Sequence, residues 1–275
     1  MSISDIPQVV RRRYSAFATS GGQQESCCAT AQKSPNFAVD HGLYSSAELA
    51  RVPDLSCNLA RGCGNPTGFA DLRPGEVVVD FGAGGGIDVI LAAQQVGAEG
   101  KVVGVDFTPE MVERAREALV KAGLGDRDVD VRVADMATTQ LPDASVDVVI
   151  SNCVINLAPD KEAVYREARR ILRPGGRLAI SDMVLSGPLP SAARERFRAT
   201  WAGCLAGMIP EGEYLDLVGR AGFSDIQVVA RHHLGGEELE AMSRCPGREF
   251  CPETPPDDLA MVEGKAESLK FTARA

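Results

Sequence analysis

From residue 76 onward the apolar positions alternate between two periods. Apolar runs at 77–79, 102–105 and 146–150, together with the alternating Val129, Val131 and Val133, fit strands. Between them, residues 87–96, 109–121 and 160–172 carry apolar side chains at helical spacing. Thr108 followed by Pro109 marks a helix start, since the hydroxyl can cap free N–H groups and proline suits the first helical position. The helix over 160–172 is expected to end at Arg173-Pro174-Gly175-Gly176, with a fifth strand over 178–181. Strands and helices alternating in this way predict a parallel sheet covered on both faces, an α/β fold. Further on, the pattern predicts helices over 192–205 and 211–221 and strands over 226–230 and 268–272, with a helix and a Pro-rich loop between 232 and 263.

The first 70 residues read differently. Residues 5–17 form an amphipathic pattern, with Ile6, Val9, Val10, Tyr14 and Phe17 opposite Arg11 to Arg13. Residues 20–40 are polar, rich in Gly, Ser and Gln, and without periodicity, which predicts a mobile loop. A short helix near 46–52 precedes a Gly/Pro/Asn turn region over 58–68 that holds Cys63.

Length and charge narrow the function classes. A chain of 275 residues can bury a substantial core. Its formal net charge of -9 argues against a nucleic-acid partner, which would require clustered Lys and Arg. The N-terminus lacks the pattern of a secretory signal and no apolar run is long enough to span a bilayer, so a cytoplasmic protein without a membrane partner is expected. In that compartment the eight cysteines are expected to be mostly reduced, as core residues, metal ligands or redox groups.

Open parallel sheets bind ligands beyond the carboxyl ends of their strands. Here Asp80-Phe81-Gly82-Ala83-Gly84-Gly85-Gly86 follows the first strand, and Asp106 ends the second. The glycines let a nucleotide approach the backbone, and an ionised Asp106 offers two acceptor oxygens to ribose hydroxyls. A bare helix-capping role for Asp106 fits the residues as well. The G-x-G-x-G spacing lacks the third glycine position of a dinucleotide fingerprint. Asp135-Met136 at the end of the third strand suits an adenine edge and face, or Met136 fills core. Together these features resemble the class I S-adenosylmethionine-dependent methyltransferases, a likeness covering residues 75–275. It implies a Rossmann-like sheet of parallel strands with helices on both faces and an antiparallel last strand. It also implies S-adenosylmethionine as cofactor, bound by Gly82, Ala83, Gly84, Gly86, Asp106, Phe107, Met111, Asp135, Met136 and Asn152.

Cys153 lies two residues past Ser151 at the end of the fourth strand, where the transferred methyl would sit. By position alone it is equally a buried structural cysteine, because free cysteine packs as a small hydrophobe. The strings around the thiols carry more. Ser151-Asn152-Cys153-Val154-Ile155-Asn156-Leu157, Trp201-Ala202-Gly203-Cys204-Leu205-Ala206-Gly207 and Gly62-Cys63-Gly64 all resemble the arsenite methyltransferases. So does an N-terminal helix carrying Tyr14, followed by a loop with Cys27 and Cys28. That resemblance spans nearly the whole chain. It implies that Cys63, Cys153 and Cys204 ligate arsenic as substrate and that Cys28, or Cys27 beside it, is a fourth, redox-active thiol.

Three thiols suit the chemistry. Trivalent arsenic is soft, prefers sulfur, and keeps a lone pair after forming three bonds. The resemblance further implies a thiol-conjugated arsenical as substrate and a thiol reductant, thioredoxin or glutathione. It divides the chain into an N-terminal helix and cysteine-bearing region over 1–70, a cofactor-binding core over 71–185, and an arsenic-binding, sheet-completing region over 186–275. Arg61 stands where some family members have Tyr before the Gly-Cys-Gly, and Cys57, Cys245 and Cys251 lie outside the matched strings. Two other functions fit the residues less fully: methylation of a small organic acceptor, and metalloid or zinc binding without turnover.

Overall fold

The computed structural model describes residues 6–21, 43–189, 205, 207–243 and 260–275. Cys27, Cys28, Cys204, Cys245 and Cys251 lie outside them, as do nearly all of the loop expected over 20–40 and of the helix expected over 192–205. Seven strands form one sheet among the described residues: β1 (Val77–Phe81), β2 (Lys101–Asp106), β3 (Val129–Val133), β4 (Val146–Asn152), β5 (Leu172–Leu185), β6 (Ser224–His233) and β7 (Ala266–Arg274). Their order is β3-β2-β1-β4-β5-β7-β6. The strands from β1 to β5 pair in parallel, while β7 runs antiparallel between β5 and β6. This is the expected Rossmann-like α/β sheet with an antiparallel last strand.

Adjacent residues of the buried strands serve opposite faces, as the pleat requires. Val78, Val102, Val131 and Val148 pack under α4 (Ile87–Val96) and α5 (Pro109–Lys121). Val79, Phe81, Val103 and Val149 pack under α6 (Lys161–Ile171) and α7 (Glu211–Arg220). Side chains such as Phe81 and Phe271, both fully buried, contribute roughly 1.5–3 kcal/mol each. The two-residue alternation thus places helices on both faces. Parallel pairing sends the carboxyl ends of β1, β2, β3 and β4 to one edge, where the cleft lies.

The N-terminal region packs on this core. In α1 (Ile6–Thr19), Phe17 and Ala18 meet Met111 of α5 and Leu59. The helix expected over 46–52 is shorter, α2 (Ser46–Leu49), and a second that was not expected follows it, α3 (Asp54–Leu59). Pro53 separates them, because the residue before a proline is disfavoured in helical conformation.

Two other expectations are corrected. Thr108 is the N-cap of α5, yet its side chain makes no cap bond; Asp106 Oδ1 accepts the Thr108 N–H instead, at 2.8 Å. The fifth strand is far longer than 178–181, because β7 pairs with it from Arg177–Arg274 to Leu185–Ala266. Its ladder with β4 jumps from Val146–Leu172 to Val148–Arg177, so residues 173–176 bulge out of the ladder and 173–175 are exposed. A last helix, α8 (Gly236–Ser243), follows β6.

Candidate active site

The glycine turn after β1 folds back on β2: the N–H groups of Gly82 and Ala83 both donate to Val105 O, at 2.8 and 3.0 Å. Gly82 has φ +74°, and a Cβ there would lie about 2.5 Å from Val154, so both conformation and space demand glycine. Asp106 Oδ2 accepts the Gly84 N–H at 3.0 Å. Each of its carboxylate oxygens therefore has one backbone donor and a second lone pair to offer.

Two adjoining hollows meet at Gly82, Asp106, Phe107, Val154 and Leu157. One, of about 610 Å³, is walled by Tyr14, Arg61, Gly84, Asp88, Asn152 and Cys153. The other, of about 840 Å³, is walled by Val10, Asp135, Met136, Ala137 and Val164. The second is an apolar slot of the kind that accepts a purine face, with Asp135 exposed at its edge. Met111 and Ala83 line the first hollow. A Cβ on Gly84 would meet nothing nearer than 3.9 Å, so it would project into open space at the mouth of the turn.

Asp88 and Asp106 line the first hollow, and Asp80 is buried near both. Burial raises Asp80 well above the usual carboxylate range, and the nearby Asp88 and Asp106 raise it further. Asp88 is pushed up to about 6 by burial, against hydrogen bonds from Asn152 and Tyr44 that lower it. Burial also raises Asp106, against the bonds from Thr108 and Gly84. A cation in this hollow would relieve the cost of ionising them, so the floor selects positive ligands. The residues therefore fit S-adenosylmethionine: Asp106 for the ribose, the apolar slot for the base, and the acidic floor for the cationic amino-acid end. Arg61, on the hollow's rim, lies with its guanidinium 3.9 Å from the centroid of the Phe17 ring and donates to Ala60 O at 2.7 Å.

Beside the cleft the environment turns apolar. Cys63 and Cys153, 1% and 3% exposed, share a buried cluster with Met183, Leu185, Leu205, Met208, Leu234, Leu239, Val262 and Ala266. Leu205 immediately follows Cys204 in the chain. Cys153 belongs both to this cluster and to the wall of the first hollow. It carries φ +62°, a left-handed conformation uncommon for a residue with a Cβ, at the turn leaving β4. Its N–H donates to Ser181 O at 2.7 Å, while Ser181 Oγ lies 3.7 Å from Cys63 Sγ. Ser268 Oγ donates to Cys63 O at 2.7 Å. Among the described residues, no group of three or more His, Cys, Asp or Glu side chains is placed to hold a metal ion.

Cys57 is elsewhere: it lies on α3 against the cluster under α4, and burial raises its thiol. Asn152 lines the first hollow, but its amide bonds are to Cys63, Gly64, Tyr44 and Asp88. Tyr44, Asp88, Ser181 and Ser268 are the polar residues of this region that pattern reading misses. Asp88 left a signal, being a lone acid in the otherwise apolar start of α4, Ile87-Asp88-Val89-Ile90-Leu91. The two serines left none.

The likenesses to known proteins agree with this geometry. Residues 72–231 match a methyltransferase domain family. The chain is 39% identical to an arsenite methyltransferase of Halobacterium salinarum over 82% of its own length and 59% of that protein's. It is 35% identical to the human arsenite methyltransferase over 59% of its own length and 46% of that protein's. The chain thus spans about half of the length of these curated relatives. The crystal structure of an arsenic(III) S-adenosylmethionine methyltransferase from Chlamydomonas reinhardtii superposes with a TM-score of 0.67 at 32% identity, covering 86% of this chain and 73% of that one. By fold, by sequence and by the strings around its thiols, the chain belongs to the arsenite methyltransferase family of S-adenosylmethionine-dependent methyltransferases.

Proposed function

We propose that the protein methylates trivalent arsenic, held by cysteine thiolates, with S-adenosylmethionine as methyl donor. The observation that carries this reading is the double membership of Cys153: it borders the cofactor cleft and shares a dry cluster with Cys63 and with Leu205, the neighbour of Cys204. Cys63, Cys153 and Cys204 exchange with three hydroxides of arsenite, each thiol proton leaving with a hydroxide as water. Three As–S bonds form and the arsenic lone pair remains. When bound, S-adenosylmethionine supplies a methyl group on a positively charged sulfur. The apolar walls exclude water and the thiolates aim the lone pair, so in-line displacement requires no side-chain base.

Methylation formally oxidises arsenic by two electrons. Cys63 and Cys28, or Cys27 in its place, return them by joining as a disulfide, which thioredoxin or glutathione then reduces. The role is arsenic detoxification in the cytoplasm. Incubating the protein with labelled cofactor, arsenite and glutathione and following products over time tests it. Labelled methylarsenicals are expected; transfer only to an organic acceptor, or none, would overturn the reading.

A further inference from the structure

We infer that Asn152 is the positioning residue of the thiol site: it locks the Cys63 backbone against the end of β4, so that Cys63 and Cys153 present their sulfurs to one arsenic atom. The inference deepens the proposed function and rests on it. Asn152 Oδ1 accepts the N–H groups of both Cys63 and Gly64, at 3.0 and 3.2 Å, and its Nδ2 donates to Gly64 O at 2.7 Å. Three bonds thus tie one dipeptide to a side chain 88 or 89 positions away. Only a carboxamide does this, since it offers an acceptor and a donor together.

The fit is tight on both sides. A Cβ on Gly62 would lie 2.2–2.4 Å from the Asn152 amide, and one on Gly64 would lie 2.0 Å from Ser181 Oγ. The segment 62–64 therefore lies flat between Asn152 and Ser181, and Ser268 holds its carbonyl. Cys153, next in the chain to Asn152, is fixed through its N–H to Ser181 O. The two thiols are thereby set relative to each other by backbone bonds rather than by side-chain packing alone.

The orientation of the amide is itself determined. Asn152 Nδ2 faces Asp88 Oδ2 at 3.1 Å and Tyr44 Oη at 3.0 Å, and Tyr44 O–H donates to Asp88 Oδ1 at 2.9 Å. A buried carboxylate only accepts, so the NH₂ group must face Asp88 and the amide oxygen must face Cys63. With two N–H donors on its oxygen and three acceptors sharing its two hydrogens, the amide has no polar valence left for the cofactor. Asn152 thus serves the thiol end while standing in the wall of the cofactor end.

The test compares Asn152→Ala and Tyr44→Phe with wild type in the full chain. A monomethylated trivalent arsenical needs only two thiolates, since its third bond is already to carbon. Asn152→Ala is expected to raise KM for arsenite about tenfold or more, the scale of losing hydrogen bonds that fix a backbone. KM for the monomethylated substrate and cofactor affinity by calorimetry should stay within about twofold. Tyr44→Phe should shift arsenite KM the same way by less, and it decides alone if the alanine variant does not fold. Equal loss with both arsenicals, a parallel fall in cofactor affinity, or wild-type kinetics would overturn the inference. If wild type methylates no arsenical, the proposed function fails separately. Arsenite itself then serves as probe, with protection of Cys63 and Cys153 from alkylation read by peptide mass spectrometry. Protection in wild type that is lost in Asn152→Ala upholds the positioning role, and equal protection or none in wild type refutes it.

Discussion

The two ends of the cleft are built in opposite ways. The end proposed for the cofactor comes from three consecutive strand ends and the turns after them, Gly82 to Gly85, Asp106 to Thr108, and Asp135 to Ala137. It is acid-rich, and its shape follows from parallel register and local turn chemistry. The thiol end is apolar and gathers Cys63, Cys153, Ser181, Leu205 and Ser268 from across the chain; the bond from Ser268 to Cys63 spans 205 residues. One end is a product of local sequence and the other of long-range packing, so damage to one should spare the other.

The largest effect should come from the thiols. Cys63→Ser or Cys153→Ser is expected to lower arsenite methylation by about a hundredfold or more, since an oxygen ligand replaces a soft sulfur. Cofactor affinity by calorimetry should be unchanged. A cofactor defect in either variant would break the separation of the two ends. Next in size, Asp106→Ala should weaken cofactor binding by about 1.5–3 kcal/mol, the range for hydrogen bonds to a charged group. Capture of arsenite, followed by thiol protection, should survive it.

The glycines sharpen the contrast. Gly84→Ala should cost about 1–2 kcal/mol in thermal unfolding, because φ +50° is left-handed and no neighbouring atom is closer than 3.9 Å. Gly64→Ala should cost about 1–3 kcal/mol through contact with Ser181. The expected discriminator is rescue: adding Ser181→Gly should restore the second variant, and no neighbouring change should restore the first.

The smallest effect concerns pH. Asp88, at about 6 when folded, is raised from its ordinary value, so its contribution to stability is present below about pH 4 and lost as pH rises through 6. Its neighbours are Tyr44 and Asn152, which lower it, and Glu48, which raises it. A cationic ligand favours the ionised form. Cofactor affinity should therefore fall by up to about tenfold between pH 7 and 5, and flatten in Asp88→Asn. A slope that survives Asp88→Asn would assign the titration to Asp80 or Asp106.

The same contrast explains what pattern reading reaches. Strand and helix periods located β1 to β4, and the bounds of α4 were legible because Gly86 and Gly97 punctuate it. The glycine turn was legible as well, since its conformation depends on immediate neighbours. The extent of β5 was not, because its partner β7 lies about ninety residues on. Nor was the work of Asn152, whose bonds run to residues 44, 63, 64 and 88. The thiols were visible only through resemblance of short strings, because nothing in the spacing of Cys63 and Cys153 brings them together. Pro53 after the first short helix and the Thr108 side chain, which makes no cap bond, are smaller misses, each decided by one local competitor.

The place of β7 in the sheet bears on how the protein is made. Residues 77–152 supply β1 to β4 and can pair as soon as they leave the ribosome. The far edge of β5 then stays open until residues 266–274 emerge, because β6 reaches the sheet only through β7. An open strand edge is a template for pairing with other chains. Ser268 arrives on that same late strand, so nascent chains would have a finished nucleotide turn while Cys63 still lacks one of its anchors. During synthesis, aggregation risk and a loosely held Cys63 therefore coincide in time, and a chaperone covering β5 would guard against both.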